Sequence, residues 1–519
     1  MSTEPATELA AQERPAVLDD RALFGHPRGL GLLFLVEMWE RFSYYGMRAI
    51  LVLFLVNAVG WNKGSATSLY GTYTSLVYLT PLAGGFIADR WLGTRRALVL
   101  GGVVIALGHF SLAFESMATF YAGLVLIMIG TGFFKPNSAA MVGQMYRPGD
   151  PRRDSGFTIY YMGVNAGAAL GPLACGLLAE KVGWHYGFAA AGVGMVLGLA
   201  CYFWGRERYM PGIGVKPDAS AKAAARTHGE GGAHLERRLG LDALIGAGVG
   251  VAFAALVLGA APLALVMAAA VGASLGVTFL GTRGDERKRV LAIVIVAFFV
   301  MFFWAAYEQA GSSMNLFADK YTDLHILGWS MPASWFQSLN PVLILVLAPV
   351  FAGLWGFLGR RGMEPSTALK MVFGLALLGV GFLFLVAGGK RADGGVLVSP
   401  LWLTGAYFFH TLGELALSPV GLSYVSKMAP ARFAALLMGV YYLANAAGNK
   451  LAGALAGLTP LPGEAAPAEV GVGIAGFLQR VSGTNSGFYS IFVVSSFIAA
   501  AVMLLFVPLL KRLAASAKA

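Results

Sequence analysis

The chain has 519 residues, of which 57% are hydrophobic and only 13% charged, and its formal net charge is +11. A mean hydropathy of +0.67 lies outside the range of soluble globular proteins and inside that of polytopic membrane proteins. The basic residues are scattered through short breaks between apolar runs, where they report topology and contact with the headgroups of a lipid bilayer, so the charge calls for no nucleic acid.

Residues 1–24 are polar with no apolar core, which reads as a cytoplasmic tail and not a cleavable signal peptide. Apolar runs between charged or Pro/Gly-containing breaks then predict helices near 29–57, 68–88, 97–114, 118–145, 155–180 and 185–205. A polar stretch from Glu207 to Gly240 follows, then runs at 241–258 and 262–281 that carry no ionisable group after Asp242 and read as a lipid-facing hairpin. Six more runs lie near 290–317, 333–358, 367–388, 400–427, 432–457 and 485–510, giving fourteen helices arranged six, two, six. The expected fold class is an all-α polytopic membrane protein. The expected domains are a tail (1–24), an N-terminal six-helix bundle (25–206), a cytoplasmic linker (207–240), an inserted transmembrane hairpin (241–282), a C-terminal six-helix bundle (283–512) and a second tail (513–519).

Loop charge tests the count independently. With the N-terminus in the cytoplasm, Arg90, Arg95, Arg96, Arg147, Arg152, Arg153, Arg283, Arg289, Arg360, Arg361, Lys370, Lys427, Arg432, Lys511 and Arg512 share one side with the linker. The other side receives Lys63, Lys181, Lys320, Lys390, Arg391 and Arg480. A miscounted helix would invert every later loop, so both termini are expected in the cytoplasm of a multi-pass protein. Cys175 and Cys201 both sit in apolar segments and make neither a disulfide framework nor a metal-ligand spacing.

Within the first run, Glu37, Glu40, Arg41, Tyr44 and Arg48 fall within roughly 100° of one another on a helical wheel. Ionised groups are costly in hydrocarbon, so that face must look into protein or a watery cavity. The other ionisable residues deep in apolar runs are Lys135, Glu308, Glu414 and Lys450. Counted from the centre of each run, Arg48 and Glu308 both lie roughly 7 Å to the outer side, whereas Lys135 and Glu414 lie near the centre. Each pair takes one member from each half of the chain. The expectation is therefore two gating salt bridges, Arg48 with Glu308 and Lys135 with Glu414, across a central cavity. Pro81, Pro136, Pro172, Pro341 and Pro419 interrupt helices beside these positions and mark candidate bending points. Lys450 reads as a fold-stabilising base.

The run Glu37-Met-Trp-Glu40-Arg41-Phe42-Ser43-Tyr44-Tyr45-Gly-Met-Arg48 resembles the first-helix signature of the proton-coupled oligopeptide transporters, the POT branch of the major facilitator superfamily. Gly84-Gly85 through Asp89-Arg90 to Arg95-Arg96 resembles the superfamily's loop between helices two and three. Tyr160-Tyr161-Met-Gly-Val-Asn165 resembles the family's fifth-helix motif, with Val164 where isoleucine is usual. The resemblance implies a proton-coupled symporter in a bacterial inner membrane that imports di- and tripeptides by alternating access, works as a monomer and needs no cofactor or metal. It implies proton coupling at Glu37, Glu40, Arg41 and Glu308. It further implies a peptide carboxylate on Arg48 and Lys135, a peptide amine on Glu414 with Ser418, and a backbone contact from Asn165. Tyr44, Tyr45, Tyr78 and Asn340 would complete the cavity. Two rivals are carried: a same-fold carrier of nitrate or another small anion, against which Glu37, Glu40 and Glu414 argue, and a receptor that binds peptides without moving them. No nucleophile with a base, metal cluster or phosphate loop appears, so an enzyme is not expected.

Overall fold

The computed structural model describes residues 16–147, 149–215, 240–249, 251–252, 262–326, 328–430, 433–464 and 473–515. The expected tail at 1–15, most of the linker, the middle of the hairpin, Arg432 and the last residues lie outside these. Contacts divide the chain into two compact units, one of residues 1–50 and 80–226, the other of residues 51–79 and 227–519. Eight of the described helical stretches are long and apolar enough to cross a membrane by length and composition. The first helix is not among them, because Glu37, Glu40 and Arg41 crowd its middle.

The first unit is built from α1 (Arg28–Leu53) up to Ile50, the C-terminal part of α2 (Lys63–Ile87), α3 (Thr94–Leu112), α4 (Met117–Gln144), α5 (Arg152–Lys181) and α6 (Trp184–Tyr209). Close approach of backbones, not bulk, packs these helices, as expected where lipid supplies no hydrophobic drive between them. A Cβ added at Gly84 of α2 would stand 2.0 Å from the carbonyl oxygen of Gly132 in α4. The turn into α3 is made at Gly93, whose φ of 76° is one that glycine adopts without strain. Arg95 then closes the end of α6: it donates to the carbonyls of Ile213 (3.2 Å) and Met210 (2.6 Å) and pairs with Glu207 at 2.9 Å. Both carbonyls lie just beyond the last residue of α6, and a cation suits that end of the helix dipole.

At the same end, residues 16–28 lie against the α4–α5 loop. Val17 is buried there, His26 Nδ1 meets the Tyr146 hydroxyl at 2.9 Å, and Arg152 donates to the Gly25 carbonyl at 2.9 Å. Asp150 accepts from the Arg152 guanidinium and backbone, which hold its carboxyl down at about 2, below the usual carboxylate range.

The second unit contains residues 51–79, α7 (Pro262–Leu280), α8 (Gly284–Tyr307), α9 (Ser313–Tyr321), α10 (Leu339–Arg360), α11 (Thr367–Ala392), α12 (Leu401–Met428), α13 (Ala434–Ala456), α14 (Gly473–Val481) and α15 (Asn485–Ala515). Before α7, residues 240–249 are helical and pack against it at glycines: a Cβ on Gly246 would lie 2.0 Å from the Gly272 carbonyl oxygen. Residues 51–79 dock on the later helices. Gly71 and Gly453 meet so closely that a Cβ on Gly71 would come within 2.8 Å of the other's Cα. Around this contact Lys450 donates to the Thr72 hydroxyl at 2.7 Å, Asn57 donates to Asp319 at 3.0 Å and accepts from Lys320 at 2.8 Å, and Lys63 pairs with Glu464.

Three features depart from the sequence expectation. The run 290–317 is not one helix: it breaks into a 3-10 turn at Glu308–Gly311 before α9. Gln309 explains the break, because its side chain donates to the carbonyls of Ala305 (3.2 Å) and Ala452 (3.1 Å) while Ser313 donates to its oxygen at 2.6 Å. A two-residue antiparallel pair, His325–Ile326 with Trp329–Ser330, and the nine-residue α14 occupy segments expected to be loop. Finally, Pro341 stands in the first turn of α10, where no backbone donor is lost, while Pro81, Pro136 and Pro172 lie inside their helices as expected.

Candidate functional site

In the first unit the charged face of α1 is buried, with Glu37, Glu40 and Arg41 only 2%, 0% and 3% exposed. Arg41 stands one helical turn beyond Glu37 and donates Nε to its Oε1 at 3.0 Å, while the same Nε lies 2.5 Å from Glu40 Oε2. Two acids thus share one guanidinium, and their neighbours differ. Glu37 Oε2 also accepts from the Tyr160 hydroxyl of α5 at 2.6 Å and from the Ser138 hydroxyl of α4 at 2.9 Å, so three donors from three helices hold this carboxylate. Glu40 has that ion pair with Arg41 but, unlike Glu37, accepts no hydrogen bond from a hydroxyl of a neighbouring helix among the described residues.

Arg41 lies over the ring of Tyr44 (5.6 Å to the centroid) and Arg48 over that of Tyr45 (5.7 Å), with the two rings edge to face. Arg48 is buried and Lys135, on α4, is half-buried. Asn165 is buried on α5 and gives its amide N–H to the Tyr161 carbonyl at 2.9 Å, which leaves its side-chain oxygen as the acceptor.

In the second unit Glu308 is buried at the 3-10 break after α8. One residue earlier, Tyr307 donates its hydroxyl to Glu414 Oε2 of α12 at 2.6 Å, and Asn340, near the start of α10, donates to the same oxygen at 2.8 Å. The same Asn340 nitrogen lies 3.1 Å from the Thr411 hydroxyl oxygen. Ser418 follows one helical turn after Glu414 and is half-buried; Tyr78, on α2, is half-buried as well. Among the described residues no group of three or more His, Cys, Asp or Glu side chains is placed to share a metal ion.

The structure brings the expected Glu37, Glu40 and Arg41 together in one unit and the expected Asn340 and Glu414 in the other. The sequence reading missed Ser138, Tyr160, Tyr307 and Thr411 as members. Tyr160 was visible inside the fifth-helix motif and Tyr307 beside Glu308, but nothing in the pattern distinguishes Ser138 or Thr411 from ordinary helical hydroxyls.

A family model described as the POT family matches residues 95–470. A peptide transporter of Yersinia enterocolitica is 38% identical over 460 residues, covering 84% of this chain and 89% of the relative. A di-/tripeptide transporter of Lactococcus lactis is 35% identical over 450 residues, covering 82% and 88%. Among solved structures, a variant of the peptide transporter POT in complex with alafosfalin superposes with a TM-score of 0.78 at 34% identity, covering 97% of this chain and 99% of that one. A POT family transporter in complex with 5-aminolevulinic acid gives a TM-score of 0.76 at 29% identity over 94% and 98%. The charged first helix, the buried acids of both units and these matches lead to one conclusion: the chain belongs to the POT family of membrane transporters and has its all-α, major-facilitator-type fold.

Proposed function

We propose that this chain is a symporter that imports di- and tripeptides by alternating access, driven by inward proton flow. The observation that carries the reading is the Glu414 carboxylate, held at one oxygen by Tyr307 and Asn340 within the membrane-spanning helices, an anionic pole suited to the α-ammonium of a short peptide. The relatives described as peptide and di-/tripeptide transporters support the substrate class. Arg48 and Lys135 take the peptide carboxylate, and Asn165, Tyr44, Tyr45, Tyr78, Asn340 and Ser418 complete the contacts. Glu37, Glu40 and Glu308 handle protons, with Arg41 as the shared counter-charge. Arg48 with Glu308 and Lys135 with Glu414 act as alternately formed salt bridges, an assignment that rests on their matching depth in the apolar runs. No chemical transformation is assigned. The distribution of loop charge supports a multi-pass protein of the bacterial inner membrane with both termini in the cytoplasm.

The test is uptake into proteoliposomes that are acid outside and negative inside. Labelled dipeptide accumulates above its outside concentration, and a protonophore abolishes the accumulation. Accumulation that survives the protonophore unchanged would overturn the coupling, and binding without any uptake would make the protein a receptor.

A further inference from the structure

The Glu414 pole has a built-in polarity that two further residues set. The single hydrogen of the Thr411 hydroxyl goes to the Tyr407 carbonyl at 2.7 Å, so the Thr411 oxygen can only accept from Asn340. Both hydrogens of the Asn340 amide are then spent, one on Thr411 and one on Glu414 Oε2. A flipped amide would set its own oxygen against a carboxylate oxygen and against a hydroxyl with no hydrogen to give. Thr411 therefore fixes the amide with Oδ1 as its remaining acceptor. Tyr307 is fixed as firmly: its ring stacks on Phe303 (5.5 Å between centroids) and meets Trp304 edge to face (5.2 Å), aiming the hydroxyl at Glu414 Oε2. Both donors to Glu414 thus occupy one oxygen.

We propose that Tyr307 and Thr411 are positioning residues that set the amine selectivity of this transporter: they occupy Glu414 Oε2 and the Asn340 amide hydrogens, so that what faces a ligand is Glu414 Oε1 and Asn340 Oδ1, two acceptors. This rests on the reading that Glu414 receives the peptide amine. A primary ammonium has the charge and the several N–H donors to satisfy both acceptors; an N-acylated amine has one N–H and no charge, and a des-amino analogue has neither. Such a site rejects the analogue because polar groups would stay unpaired. The selectivity comes from hydroxyls that never touch the ligand.

The experiment measures binding of dialanine and of its des-amino analogue, N-propionyl-alanine, to the full-length protein in lipid nanodiscs, comparing wild type with Tyr307→Phe, Thr411→Val and Thr411→Ser. The Phe variant keeps the ring stack and removes only the hydroxyl. Tyr307→Phe and Thr411→Val each weaken dialanine about five- to tenfold while changing the analogue less than about twofold. Thr411→Ser, which keeps the hydroxyl, retains wild-type discrimination, and binding of the analogue reports that each variant is folded. Equal losses for both ligands in the Phe and Val variants would make the two residues merely structural and overturn the proposal. Discrimination at the wild-type level in both variants would overturn it as well, leaving the role of Glu414 intact. A wild-type protein that binds both ligands equally would overturn the amine assignment itself.

Discussion

Glu308 stands where α8 ends, and the adjacent Tyr307 holds the carboxylate of the Glu414 pole. A proton arriving at Glu308 is, on the proposed reading, one peptide unit from the residue that orients the amine site. On the proposed reading, proton and peptide favour the same state and are thermodynamically linked, so Glu308→Gln, a permanent mimic of the protonated acid, separates movement from coupling. The variant should exchange labelled peptide when peptide is present on both sides of the membrane, yet show an accumulation ratio near one under a proton gradient. Counterflow and gradient-driven uptake on one preparation check it; accumulation at the wild-type level would move the coupling proton to Glu37 or Glu40. The ionisable members of the site were legible in the sequence because charges in apolar runs are rare and need a reason. Ser138 and Thr411 were not, because a hydroxyl in a helix usually bonds the carbonyl one turn back, as Thr74 does to Tyr70 and Thr411 itself does to Tyr407. Only the neighbouring helix reveals which hydroxyls do more.

Most helices announce themselves by apolar length, since every backbone polar group inside a bilayer must be satisfied within the protein. Their ends were harder to read. α6 runs to Tyr209, past Arg206 and Arg208, and Arg95 holds the turn that follows it through the carbonyls of Met210 and Ile213. The break at Glu308–Gly311 had no proline to mark it and is enforced by the Gln309 side chain reaching a different helix. α14, at nine residues, is too short for a test based on spanning length. The start of α15 is secured from outside itself: Asp393 accepts from the backbone N–H groups of Asn485 (2.7 Å) and Ser486 (3.0 Å) and from both their side chains. These are donors that the first turn cannot satisfy. Asp393→Ala should therefore cost about 1–2 kcal/mol, the scale of a lost helix cap, and lower the melting temperature of the purified protein without abolishing dipeptide binding. An unchanged melting temperature would show that water replaces the cap at no cost.

At the scale of the molecule, six-two-six patterning in the sequence anticipated an all-α membrane fold, and the family comparison agrees with it. What patterning could not convey is that the chain changes allegiance within single helices: residues 51–79, the C-terminal end of α1 and most of α2, pack with the second unit. Hydropathy is a property of a segment and carries no record of which surface that segment meets. The Gly71–Gly453 contact makes this allegiance adjustable by one carbon atom. Neither residue is charged, and a Cβ at Gly71 would also stand 3.0 Å from the Asn449 carbonyl oxygen, so a methyl group there acts as a wedge between backbones. Gly71→Ala should lower thermal stability by about 1–3 kcal/mol and raise the reactivity of a cysteine introduced at Thr72 toward a water-soluble maleimide, whereas an alanine at the uncrowded Gly353 should do neither. Unchanged labelling in the Gly71 variant would mean that the helices absorb the methyl without parting. The hydrogen atom on a glycine is then the smallest shim in the assembly, and thickening it offers a way to tune how tightly the first two helices dock while leaving every titrating side chain in its native chemistry.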